Sequence, residues 1–384
     1  MTIAVKRYTS TMTGAPSLAG QVGTLVALLD ACLVNGFNTK SVSTAEQTAG
    51  VATVTTSTAH GYNVNDVVAI SGANEAAWND EFRVLTVPDT THFTAAIASG
   101  TASPATGTLS AKIAPLGWTK PFSGTDKAAY LPKAPYVQCY LRVQDDASTP
   151  TSANGRWATV RGYESMSDVD TGTGLFPTAA QSANGLQWMK APTAGAAASD
   201  WWLVGDGGIV YFGSKSVSSF NLYSGHLFGD INSLKSGDAY SSAIHGFTTD
   251  TEPNWPADNQ FAKVDNDSTG LYLARSYTQL GESIAGHRQG ATLWSTYMGY
   301  GGLTYPNPVD NGLVFAPVAI GEGTSVMRSA ALPGLYQPLH LTPLAYLEKV
   351  ADVPSLPGRT LQAFDLSVVI YRAQCLFDIT GPWR

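Results

Sequence analysis

WWLVGDGGIVYFGS, residues 201–214, reads as two extended runs about a reversal: WWLVG and IVYFG flank Asp206-Gly207-Gly208. Aromatic and β-branched side chains suit a pleated surface, and a Gly-containing turn closes it, so this stretch is a β-hairpin. Successive side chains of a strand point to opposite faces. Trp201 and Trp202 are therefore expected to part, one ring entering the core and the other looking outward.

The same texture recurs outward from this hairpin. YVQCYLRV (136–143), WATVRGY (157–163), LYLARSY (271–277), GLVFAPVAI (312–320) and FDLSVVIYRAQCLFDI (364–379) are further strand candidates. LTPLAYLEKV (341–350) reads as a short helix or as a strand broken by Pro343. The 38 Gly and 21 Pro follow no Gly-X-Y period and mark turns between short strands. No repeat of solenoid or propeller length is present. Residues 114–384 are thus expected to form a β-rich main body.

The N-terminal 44 residues, assigned to the same body, read differently. Residues 1–16 are polar and turn-rich, an arm expected to order only on docking. Leu18, Val22, Leu25, Leu29 and Cys32/Leu33 recur at helical spacing, with Ser17 as N-cap and Asn35-Gly36 as stop, which predicts an N-terminal helix. Residues 45–113 change texture again. GVATVTTS (50–57), DVVAIS (66–71), EFRVLTV (81–87), HFTAAI (92–97) and GTLSAKI (107–113) are short β-prone runs separated by turn residues. They predict a small inserted β-barrel or β-sandwich module. The fold class is mainly β.

Composition narrows the function. Charged residues make up 13% of the 384, about half the usual fraction, while hydrophobic residues make up 44%. Such a sparse ionic coat fits outer faces covered by neighbouring subunits. The net charge of −7 argues against a nucleic-acid partner. No run approaches the roughly 18 apolar residues of a membrane span, and no signal-peptide pattern opens the chain. Cys32, Cys139 and Cys375 are far apart and match no metal spacing, so they read as buried thiols in a reducing compartment.

Motifs for chemistry fail on inspection. Between Gly208 and Gly213-Ser214-Lys215-Ser216 lies an apolar strand rather than a phosphate-cradling loop. Asp265-Asn266-Asp267-Ser268-Thr269-Gly270 resembles half a calcium loop, but Ser276 stands where the closing carboxylate belongs, so it reads as a solvated turn. The six histidines form no HExxH, and there is no G-x-S-x-G. No catalytic residue, metal or cofactor is nominated, and the chain is expected not to be an enzyme. The candidate contact surface is aromatic: Trp255, Trp294, Tyr297 and Tyr305, with Tyr300 beside them, lie in Gly/Pro/Asn-rich stretches. Plugging of a loop-rich β core is the competing reading of these rings.

TAHGYNVNDVVAISGANEAAWNDEFRVLTVPDTTHFTAAI (58–97) resembles small β modules inserted in phage tail and baseplate proteins, through His60, Gly61, Tyr62, Asp66, Val67, Val68, Gly72, Phe82, Val84 and Phe93. The segments at 12–37, 114–130, 160–178, 270–281, 305–317 and 377–384 together resemble a family of uncharacterised structural proteins of tailed bacteriophages. The resemblance implies a virion component assembled in the host cytoplasm, a tail or baseplate subunit closing a symmetric ring with copies of itself and other virion proteins. The inserted module is then expected to project outward. The alternatives are a tail-tip protein that binds a host receptor or surface glycan, and a capsid decoration or head-fibre protein.

Overall fold

The computed structural model describes residues 4–146, 155–216, 222–248, 270–289, 303–323, 326–340, 343–368 and 371–384. The fold is mainly β, as the residue patterns predict, with one short α-helix and one closed barrel among the described residues. At its centre is a nine-stranded sheet. Its strand order is Lys6–Thr9, Trp201–Gly205, Ile209–Lys215, Tyr223–Asp230, Ser242–His245, Leu271–Leu273, Ile284–Gln289, Ala319–Glu322 and Val326–Ser329, each antiparallel to the next.

This sheet is covered on both faces, which corrects the expectation for the paired tryptophans. Trp201 and Trp202 do point to opposite faces, yet both are fully buried. Trp201, Leu203, Val210, Phe212, Phe228 and Ile244 pack into one core, with the helix, the barrel and a six-stranded sheet. Trp202, Val204, Ile209, Tyr211, Leu227 and Ala243 pack into a second core against a five-stranded sheet. The strict alternation between cores is the period of two of a strand, applied where neither face meets water. FDLSVVIYRAQCLFDI, which runs along this second core, is a hairpin of Thr360–Val368 and Tyr371–Asp378 rather than one strand.

The barrel closes in the order Phe37–Thr48, Val51–Thr56, His92–Ala96, Glu81–Thr86, Val67–Ala73 and Gly107–Ile113. Closure leaves no open edge, and alternate residues such as Val54, Val68, Ile70, Phe82, Val84 and Phe93 fill the inside. The residues carrying the sequence resemblance have structural duties here. Gly61 adopts a left-handed φ of 66°, and a side chain there would strike Thr13. The Tyr62 hydroxyl donates to the Ala111 carbonyl at 2.9 Å, and the Asp89 carboxylate accepts from the Thr91 amide at 2.8 Å to hold the hairpin tip.

The barrel is tied closely to the body. Its apolar interior is continuous with the first core, and ionic side chains pin it in place. Arg7 pairs with Asp66 at 3.0 Å and Lys6 with Glu81 at 2.9 Å. The Arg83 guanidinium donates to the carbonyls of Val5, Ile379 and Thr380. Burial lowers its pKa to about 10.

Two N-terminal expectations also change. From residue 4 onward the polar arm is ordered: Lys6–Thr9 is an edge strand of the central sheet, and its four residues are buried. The helix is shorter than the apolar spacing predicts. Leu18–Gly20 is instead a strand paired with Gly195–Ser199. The α-helix spans Thr24–Leu29 after Gly23 at φ 76°, and π-helical turns continue it through Asp30–Asn35. A left-handed Gly23 ends any helical continuity with Leu18, and a partner from far along the chain recruits Leu18 into a sheet.

A tyrosine-lined groove as candidate interaction site

The hairpin turn that decides the fold also founds a surface groove. Asp206 folds back on its own turn, its Oδ1 accepting from the amides of Gly208 (2.7 Å) and Ile209 (2.9 Å). Its two carboxylate oxygens also receive the Arg384 guanidinium at 3.2 and 3.3 Å. Arg384 in turn covers the ring of Tyr136, 4.6 Å from its centre. Glycine at 208 is needed for this stack, since a Cβ there would come within 2.6 Å of both the Tyr136 ring and the Arg384 guanidinium. Burial raises the Tyr136 pKa.

Tyr136 forms one wall of a groove of about 720 Å³, together with Pro135, Val137 and Gln138. The other wall is the loop after Tyr223–Asp230, with Asn232, Lys235, Asp238 and Tyr240. Asp230 shapes that loop: its Oδ1 accepts from the Asn232 amide (2.9 Å) and the Ser241 hydroxyl (2.8 Å). Asn232 takes a left-handed φ of 59°, a conformation asparagine tolerates.

Tyr240 mirrors Tyr136. Its ring lies 4.1 Å from the Arg275 guanidinium, a geometry in which the ring face attracts the cation. Arg275 is gripped by both oxygens of Glu164 at 2.6 Å, which raises its pKa. On the far side of Arg275 is a smaller hollow of about 380 Å³ lined by Glu164, Leu175, Thr178 and Ser283. Beneath the corner, buried Arg328 donates to Asp238 (2.7 Å), Glu322 (2.5 Å) and the Arg275 carbonyl (3.0 Å). The carboxylates of Asp230, Asp238, Glu164 and Glu322 are thus each engaged by an arginine.

Around the rim, apolar side chains face solvent: Leu234 is 61% exposed and Leu280 75%, with Tyr277 and Met327 near half. The Leu234 amide donates to the Arg328 carbonyl, the Tyr277 amide to Glu322, and the Gln279 side chain to the Gly237 carbonyl. These bonds gather three loops into one corner. What it offers chemically is two ring edges, amides, hydroxyls and an exposed lysine: a surface for binding.

Of the contact residues expected from sequence, Trp255, Trp294 and Tyr297 lie outside the described residues, as do Tyr300 and Asp265 to Thr269 of the calcium-like turn. Tyr305 is 37% exposed, and its ring meets His340 edge-on at 5.3 Å. The groove is hidden in the sequence because the run 136–143 reads as one strand that includes Tyr136. The strand is Tyr140–Gln144, and Pro132 and Pro135 were the signal that Tyr136 belongs to a loop. Among the described residues, no group of three or more His, Cys, Asp or Glu is placed to hold a metal ion, and no helix is long and apolar enough to cross a membrane. The three cysteines are buried thiols.

No protein-family model matches the chain, and no curated protein matches it. Among solved structures, the chain is similar to the phage phi92 endosialidase, at 12% identity and a TM-score of 0.17, over 90% of this chain and 52% of that one. The chain therefore spans about half the length of that structure, and a likeness this slight carries no argument about activity.

Proposed function

We propose that the chain is a non-enzymatic structural subunit of a tailed-phage particle, in its tail or baseplate, that assembles with copies of itself. The observation that carries this reading is where the few charges go. In a chain only 13% charged, Lys6, Arg7, Asp66, Arg142, Asp145, Lys190, Asp206, Glu322 and Arg328 are buried. The exterior is thereby poorer in charge than the composition alone implies, while Leu234, Leu280 and Val309 are left in the open. Such a surface suits enclosure by symmetry-related neighbours. The sequence resemblance to phage structural proteins supports the same reading. Light scattering of the purified chain, with negative-stain imaging, tests it. A closed oligomer is expected at micromolar concentration, and a stable monomer overturns the reading.

The groove favours a second reading, that the same subunit binds a host-surface glycan. Tyrosine rings beside amide, hydroxyl and ammonium groups suit the alternating apolar and hydroxylated faces of a sugar. Titration with host-envelope oligosaccharides checks this: Tyr240→Ala is expected to abolish binding.

A further inference from the structure

Lys190 and Asp145 form the most enclosed ion pair of the chain's described residues, since both side chains are fully buried. The sheet brings them together. Asp145 follows the strand Tyr140–Gln144 and Lys190 follows Leu186–Met189, and both strands pair with the start of Trp157–Met166. The Lys190 Nζ donates to Asp145 Oδ1 and, at 2.5 Å, to the Gln21 carbonyl. Asp145 Oδ2 accepts from the Leu25 amide at 2.9 Å. Its backbone is held as well, by the Gly23 amide at 2.9 Å and the Asp126 carbonyl at 2.8 Å.

The environment disfavours charge on both partners. Burial lowers the pKa of Lys190 and pushes that of Asp145 up to about 6. Transfer of one proton from the Lys190 ammonium to the Asp145 carboxylate leaves an amine in contact with a carboxylic acid, shut away from water, which is the reactant pair for amide formation. The other buried pairs differ. Arg7–Asp66 and Arg328–Glu322 employ a guanidinium rather than an amine, and Glu81 opposite Lys6 is partly exposed.

We propose that Lys190 and Asp145 condense into an intramolecular amide bond that staples the ends of two strands of the six-stranded sheet to each other, beneath the N-terminal helical segment. The Nζ lone pair attacks Cγ of the protonated Asp145 carboxyl, and a nitrogen–carbon bond forms. Oδ2 remains as the amide carbonyl, with the Leu25 amide steadying the charge it gains in the tetrahedral intermediate. Oδ1 departs as water, carrying the carboxyl proton and one amine proton. That amine proton passes directly along the hydrogen bond that Nζ donates to Oδ1. No oxidant or cofactor enters the balance.

Mass spectrometry of the denatured wild-type chain tests the bond directly. The expected mass is one water below that of the sequence. Trypsin is then expected to spare Lys190 and to release a branched peptide joining residues 143–156 to residues 162–215. The Asp145→Ala variant is expected to show full mass and ordinary cleavage after Lys190. A wild-type chain of full mass, or one that loses water without giving the branched peptide, overturns the proposal.

Discussion

Gly213 sits across the sheet from Trp202, paired with it in register, and the indole ring occupies the space a side chain would need. A Cβ at 213 would lie 2.1 Å from the ring, which is locked between Phe364 and Phe377 and cannot retreat. Gly213→Ala is expected to destabilise the fold by about 1–3 kcal/mol, the usual penalty for overfilling a packed core, as read by urea unfolding. His226 poses a different constraint. It is buried against Trp188 and Phe247, its Nε2 accepting from the Met189 amide at 3.3 Å. Burial lowers its pKa to about 3. An unfolded histidine takes up its proton near pH 6.5, so between pH 6.5 and 3 the unfolded chain binds more protons than the folded one. Acid therefore drains stability through that window. His226→Gln keeps an acceptor but does not titrate. It is expected to be less stable than wild type at pH 7, with the gap narrowing steadily in denaturant titrations at pH 5 and 4.

At the scale of elements, the barrel's seating depends on a few long side chains crossing from one unit to another. Arg83 reaches four carbonyls, of Val5, Asn65, Ile379 and Thr380. A lysine ammonium cannot span that fork. Arg83→Lys is expected to cost about 1.5–3 kcal/mol. It should raise hydrogen exchange at residues 4–9 and 378–384 while the barrel strands stay protected. Uniformly faster exchange throughout the barrel would contradict this assignment. Such seams explain what was legible in the sequence. Hairpins and barrel strands follow from alternation within a few residues, so 201–214 and the runs between 50 and 113 could be read directly. The strand at Leu18–Gly20 and the buried Lys6 and Arg7 could not, because their partners at 195–199, Glu81 and Asp66 lie far along the chain. The tyrosine groove is hidden for the same reason: Tyr136 and Tyr240 acquire meaning only once Arg384 and Arg275 are folded over them.

For the whole molecule, burial of charge and exposure of leucine act together. Leu280 is the most exposed of the corner's apolar side chains and supports no packing of its own. Leu280→Asp is expected to leave the unfolding midpoint within about 0.5 kcal/mol of wild type, as surface changes usually do. Light scattering should nonetheless show weaker self-association, and unchanged assembly would remove this corner from the subunit interface.

The central sheet also dictates a timetable. Lys6–Thr9 pairs only with Trp201–Gly205, whereas the barrel strands from Phe37 to Ile113 find every partner among themselves. Emerging from the ribosome, the barrel is complete long before the opening strand meets its mate. Residues 6–9, made well before their mate, are thus among the last to settle, an unpaired edge for a chaperone to shield until mid-chain arrives.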